Sequence, residues 1–270
     1  MECAMAGSRE ARLAALRGRI AAIEAGTRTP TPVLPFGDPA IDACFPGGGL
    51  PLGAWHEVVG AGLEGETGAA PAAFASLLLK PLVTTGVVVW VARRSDLFAP
   101  GLAGLGFPAQ RLIQVRARDE AEVLSVLEDA LSTQGVSAAV GEAEAPDLTA
   151  GRRLQLACEK RGGLGLLLHR RPYGGQVGRG GAGEGPRTVS GSASFSRWRI
   201  GPQPSGAPPD DIGLGPPRWR VELERCRGGR SGGWILEAQE AGHGPHPFRL
   251  VSQLADHDVA PAEPGWRKAG

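Results

Sequence analysis

Three apolar runs constrain the fold more than any other feature: VVVWVA at 87–92, VSAAVGEA at 136–143 and GLGLLLHR at 163–170. Each is too continuous for a strand with one wet face and too short for a helix. Each therefore reads as a strand covered on both sides. Helical patterns separate them. EAEVLSVLEDALSTQG (120–135) is amphipathic, DLTAGRRLQLACEKRG (147–162) is another helix, and PAAFASLLLKPLV (71–83) is an apolar one with Pro71 near its first turn. WHEVVG (55–60) and RLIQVRA (111–117) add two strands. Strands alternating with helices predict an α/β class, with a mainly parallel sheet and helices on both faces.

The rhythm changes near the C-terminus. SASFSRWRI (192–200), PRWRVELERC (217–226) and GGWILEA (232–238) read as antiparallel strands joined by turns. Alternation puts Trp219, Val221 and Leu223 on one face, and Arg218, Arg220, Glu222 and Glu224 on the other. The two Arg-Trp-Arg repeats read as amphipathic strands, with a binding surface as the sharper alternative.

The 42 glycines and 23 prolines concentrate locally. They predict a flexible loop at 174–191 and a Pro/Gly connector at 201–217, inside a core spanning 29–255. Residues 256–270 read as a disordered tail. Residues 1–28 read as an N-terminal helical arm. Ser8 caps its helix, and Leu13, Leu16, Ile20 and Ile23 share one face. That face packs either on the chain's own core or on a neighbouring chain.

The net charge of +1 hides an asymmetry. Residues 51–150 carry six bases against twelve acids, and residues 151–250 carry sixteen against eight. A basic second half suits a polyanion or an acidic protein. No apolar run approaches the ~18 residues of a membrane span, and the N-terminus lacks a signal-peptide core. Cys3, Cys44, Cys158 and Cys226 are far apart, with no CxxC pair and no histidine cluster, which predicts reduced, inert thiols in a cytoplasmic protein without metal. His56 and His169 read as core histidines. His243, His246 and His257 lack metal spacing, and no Ser–His–Asp or Cys–His arrangement presents itself.

The stretch with chemistry in it is GDPAIDACFPGGGLPLGAWHEVVGAGLEGET, residues 37–67. It resembles the opening of the RecA/KaiC-type ATPase core at Gly37, Ile41, Asp42, Gly48, Gly49, Leu50, Pro51, Gly53 and Glu57. The phosphate loop that should follow keeps Gly60, Gly65 and Thr67 but has Glu66 in place of the lysine that reaches the β- and γ-phosphates. The resemblance aligns the other ATPase positions with Arg93 (catalytic acid), Glu142 (magnesium acid) and Arg170 (γ-phosphate-sensing glutamine). Without the lysine and the water-orienting acid, ATP hydrolysis is not expected. The chain therefore reads as a non-enzyme with no cofactor.

A RecA-like frame with a degraded site is similar to the ImuA family of bacterial damage-inducible mutagenesis cassettes. PGGGLPLGAWHEV (46–58), RRLQLACEKRGGLGLLL (152–168) and the Arg-Trp-Arg pair carry that resemblance. It implies a non-catalytic adaptor of SOS-induced, error-prone translesion synthesis, in the cytoplasm at the nucleoid. The implied partners are an ImuB-type inactive lesion-bypass polymerase, an error-prone replicative-type DNA polymerase, RecA and single-stranded DNA. The arm carrying Leu13, Leu16, Ile20 and Ile23 is the expected partner-binding helix. RecA-type proteins carry a DNA-contacting loop after the fifth strand, and here that region holds Arg170, Arg171, Arg179, Arg187, Arg197 and Arg199. Arginines supply phosphate contacts, and Tyr173, Phe195 and Trp198 could stack on bases. The plainer reading is a solvated linker followed by a strand that buries Phe195 and Trp198. Two other functions stay open: an ATPase in which Arg93 or Lys80 replaces the missing lysine, and a SulA-like cell-division inhibitor.

Overall fold

A computed structural model describes residues 31–62, 68–144, 146–170, 192–206, 214–239 and 246–254, and the fold belongs to the unit Val33–Gly270. Val33–Leu34 (β1) pairs antiparallel with Leu50–Pro51 (β2), and between them lies the short helix Pro39–Asp42 (α1). Trp55–Gly60 (β3), Ala69–Leu79 (α2), Val87–Ala92 (β4), Ala99–Gly104 (α3), Leu112–Arg116 (β5) and Glu120–Ser132 (α4) follow. Val136–Ala143 (β6), Leu148–Arg161 (α5) and Leu164–His169 (β7) complete the alternating part. The last four strands are Ser196–Gln203 (β8), Arg218–Cys226 (β9), Gly232–Ala238 (β10) and Phe248–Gln253 (β11).

Nine strands form one sheet in the order β11-β10-β9-β8-β3-β7-β6-β4-β5. From β8 to β5 every pairing is parallel; β8-β9, β9-β10 and β10-β11 are antiparallel. The expected α/β class with an antiparallel extension is what the chain builds.

Local signals explain the helix limits. Asp119 caps α4 by accepting from Glu122 N at 2.9 Å, and Asp147 caps α5 by accepting from Ala150 N at 2.7 Å. Gly162 ends α5 in the left-handed region at φ 73°, which a residue with a Cβ resists. The apolar helix expected over 71–83 stops at Leu79 and tightens into a 3₁₀ turn over Lys80–Thr84. Pro81 has no N–H to continue the α ladder.

Each sheet face has its own core. On one face, Phe74 and Leu77 of α2 pack with Phe36, Phe45, Trp198, Trp219, Trp234 and Phe248. The rings of Phe74 and Phe248 lie 5.0 Å apart, and those of Phe36 and Trp198 lie 5.4 Å apart. On the other face, Val123, Leu127 and Leu131 of α4 and Leu154 and Cys158 of α5 cover Trp55, Val89, Val91 and Leu167. Glycine lets α4 come close: a Cβ at Gly141 would sit 2.3 Å from Leu127 Cδ1. Trp198 is buried, as the plainer reading of the Arg-Trp-Arg strand had it; Phe195 is only partly buried.

Three details differ from expectation. β8 runs through Gln203, because Gly201 and Pro202 still pair with Arg220 and Trp219, so the Pro/Gly connector begins later than residue 201. β11 was not legible as a strand; it forms because β10 offers its free edge to FRLVSQ. The short helices α1 and α3 were likewise unexpected. The arm with Leu13, Leu16, Ile20 and Ile23, the loop at 174–191 and the tail at 256–270 lie outside the described residues.

Candidate functional site at the strand ends

The motif over 37–57 is a scaffold for the end of β3. Asp42 accepts from Phe36 N at 2.8 Å and Gly37 N at 3.0 Å, folding the chain over the buried Ile41. Gly37 takes φ 86°, and a Cβ there would strike the His246 ring at 2.2 Å. These residues place Gly60 at the C-terminal end of β3, where Ala61 N still donates to Ile200 O at 2.8 Å. Gly65, Glu66 and Thr67 lie outside the described residues.

The parallel order β3-β7-β6-β4 brings the ends at Gly60, Arg170, Glu142 and Arg93 side by side, where open α/β sheets place their ligand crevice. Glu142, 5% exposed, is fully engaged within the protein. Its Oε1 accepts from Trp90 Nε1 at 2.8 Å and its Oε2 from Arg170 Nη1 at 2.8 Å. Arg170 also grips Asp96 as a fork, at 3.1 and 2.9 Å, and Arg94 Nε meets the same carboxylate at 3.2 Å. Burial raises the Glu142 carboxyl above its ordinary value, against the pull of Arg170 and Trp90. At Asp96 burial also pushes upward, but the bonds and charge of Arg170, with Arg94, prevail and lower it. Arg93 follows β4 directly, with its Nε buried and unbonded among the described residues.

A second charged cluster sits on the β3 face that carries Trp55. Glu57 is wholly buried and accepts from Arg197 Nη1 at 3.0 Å and from Ser192 Oγ, while His169 Nε2 stands 3.4 Å away. That last contact is electrostatic; His169 Nε2 lacks hydrogen-bond geometry. Burial works to raise the Glu57 carboxyl, yet His169, Ser192 and Ser194 outweigh it and hold the group at about 2. Arg197 continues to Glu224 at 3.0 Å, and Arg199 Nε donates to Glu224 at 2.6 Å. Arg197 and Arg199, named as DNA candidates, are thus both held in ion pairs along the sheet, with side chains 13% and 25% exposed. Arg170 is committed to two carboxylates. Arg171, Arg179 and Arg187 lie outside the described residues.

His56 is a satisfied core histidine. Its Nδ1 shares a proton with Ser196 Oγ at 2.7 Å, its Nε2 lies 3.2 Å from Pro51 O, and burial lowers its pKa to about 4. Burial pushes the Cys158 thiol up to about 12, so it carries no nucleophile. Among the described residues no group of His, Cys, Asp or Glu is placed to hold a metal. No helix among them is long and apolar enough to cross a membrane.

Sequence reasoning placed Glu142 and Arg170 at strand ends but missed their mutual pairing and the parts of Asp96 and Trp90. The one available signal was Asp96, three residues beyond Arg93 in the same post-strand turn.

No family model matches the chain. Two curated relatives, both called Protein ImuA and from two strains of Caulobacter vibrioides, are each 81% identical to it over 247 residues, covering 91% of this chain and 99% of the relative. Among solved structures, the RadB recombinase superposes with a TM-score of 0.53 at 14% identity, over 81% of this chain and 100% of the other. That likeness shows a RecA-like fold and nothing finer.

Proposed function

This chain belongs to the ImuA family, and from that premise we propose that it is a non-catalytic RecA-like adaptor of error-prone translesion DNA synthesis. It works with an ImuB-type protein and an error-prone replicative-type polymerase during the response to DNA damage, in the cytoplasm at the nucleoid. The observation that carries the non-catalytic part is the Glu142–Arg170–Asp96 network. The acid that would face magnesium is closed off by Trp90 and Arg170, and the γ-phosphate-sensing position is itself the arginine that closes it. Glu66 adds to this from the sequence. Two unit charges ~4 Å apart exchange about 4 kcal/mol at an effective dielectric near 20, so a carboxylate in place of the lysine turns attraction for phosphate into repulsion.

The competing ATPase reading loses one of its two substitutes. Lys80 stands one residue beyond the C-terminal end of α2, ~16 Å along the helix from its start. Its ammonium lies against Gly106, in the segment between α3 and β5, where a Cβ would fall 2.7 Å from Nζ. Contact with single-stranded DNA, where it occurs, falls to Arg171, Arg179 and Arg187, since Arg197 and Arg199 already neutralise carboxylates.

Co-purification tests the adaptor role. Tagged chain should retain an ImuB-type partner through a high-salt wash, and a chain lacking residues 1–28 should retain it at least tenfold less. Equal recovery with an untagged control would end the proposal. Equal recovery with and without residues 1–28 would move the contact from the arm to the core.

A further inference from the structure

Helix α5 buries Gly151, Leu154, Ala157 and Cys158 and turns a different row outward. Leu148, Arg152, Leu156 and Lys160 recur every four residues, so they stack along one ridge ~18 Å long. Leu148 is 56% exposed and Leu156 65% exposed, while Arg152 and Lys160 are exposed too. Neither cation makes an ion pair or hydrogen bond among the described residues. Two nearby charged groups already have partners: Arg153 donates to Glu128 at 2.7 Å, and Glu159 accepts from Gln155 at 2.9 Å. A ridge that alternates bare leucine with unpaired cation is unlike a solvated helix face, where charges pair at i,i+4 and apolar groups turn inward.

The geometry points to α5 as a docking ridge for an acidic amphipathic helix of a partner protein. Two leucines separated by two helical turns ask for apolar anchors at matching spacing, and Arg152 and Lys160 ask for carboxylates beside them. A second copy of the chain, docked by a two-fold axis through this ridge, would gather four unpaired cations in one seam and bring no carboxylate of the ridge to meet them. Nucleic acid is the wrong chemistry for two exposed leucines, which offer no ring for a base to stack on.

The test uses full-length chain and a fluorescein-labelled synthetic acidic peptide, helical and long enough to span the ~18 Å ridge, with leucines at every fourth position and glutamates between them. Its anisotropy should rise saturably with added protein, and binding should weaken as salt is raised. A Leu148→Asp/Leu156→Asp double variant should bind at least tenfold more weakly, and so should Arg152→Glu. All four side chains are exposed, so thermal melts of the variants should match the parent. A lysine-for-glutamate version of the peptide should not bind. Absence of binding by the acidic peptide, equal binding by the variants, or equal binding of the basic peptide would each overturn the assignment.

Discussion

Glu57→Ala is expected to lower the unfolding free energy by about 3–5 kcal/mol, the usual range when one partner of a buried ion pair is removed. Glu57 has no exposed surface, and the guanidinium of Arg197 beside it is largely enclosed. Deleting the carboxylate leaves Arg197 facing only Glu224 and leaves Ser192 with Ser194 Oγ, 3.1 Å away, as its one remaining side-chain acceptor. Urea unfolding followed by tryptophan fluorescence would report the loss directly. The same carboxylate sets a pH signature. Its pKa falls from 4.5 in the open chain to about 2 in the fold, so its contribution is complete above pH 4.5 and drains away as pH falls toward 2. The parent should lose stability through that window, and Glu57→Ala should show a flatter profile there. A loss below ~1 kcal/mol would mean that the cluster is solvated rather than buried.

The second large effect is expected at Arg170. Arg170→Ala should cost about 3 kcal/mol, the lower end of the buried-pair range, because Trp90 still donates to the stranded Glu142 and the carboxyl can take up a proton. Adding Glu142→Gln should recover part of that loss, since the neutral amide no longer needs a cation. The two changes should therefore be non-additive by more than ~0.5 kcal/mol in a double-mutant cycle. Additive losses would show that Arg170 is held by Asp96 alone and that the strand-end closure is not a unit. Arg170→Ala should not create nucleotide affinity, because Glu66 remains in the sequence.

The central parallel strands β3, β4, β6 and β7 were legible because they are buried on both faces, and α4 and α5 because they are buried on one. Residues 87–92 and 136–143 form strands with the limits read from the sequence. Burial of both faces forces an unbroken apolar run, and that pattern survives in one dimension. β11 left no such mark. It is an edge strand with most of its residues wet, and only the free side of β10 makes FRLVSQ a strand. At the site, the alignment of Glu142 and Arg170 with strand ends was readable from motif order. Their pairing was not, because it depends on adjacent strands bringing together residues 28 apart in the chain, with Asp96 arriving from a third. The Glu57 cluster is the extreme case: Arg197 is 140 residues away and becomes a neighbour only because β8 lies parallel to β3. Its arginines looked like nucleic-acid contacts in sequence, where a charge has no visible partner.

The central claim is that a RecA-like core has closed its nucleotide site from within and serves as an adaptor. Titration calorimetry of the full-length chain with ATP, with and without magnesium, tests it most directly. The expected result is no saturable heat up to millimolar nucleotide in either condition, in a sample whose melt shows a single cooperative transition. Micromolar binding that requires magnesium would contradict it, and would mean that the Glu142–Arg170 pair opens to admit the metal.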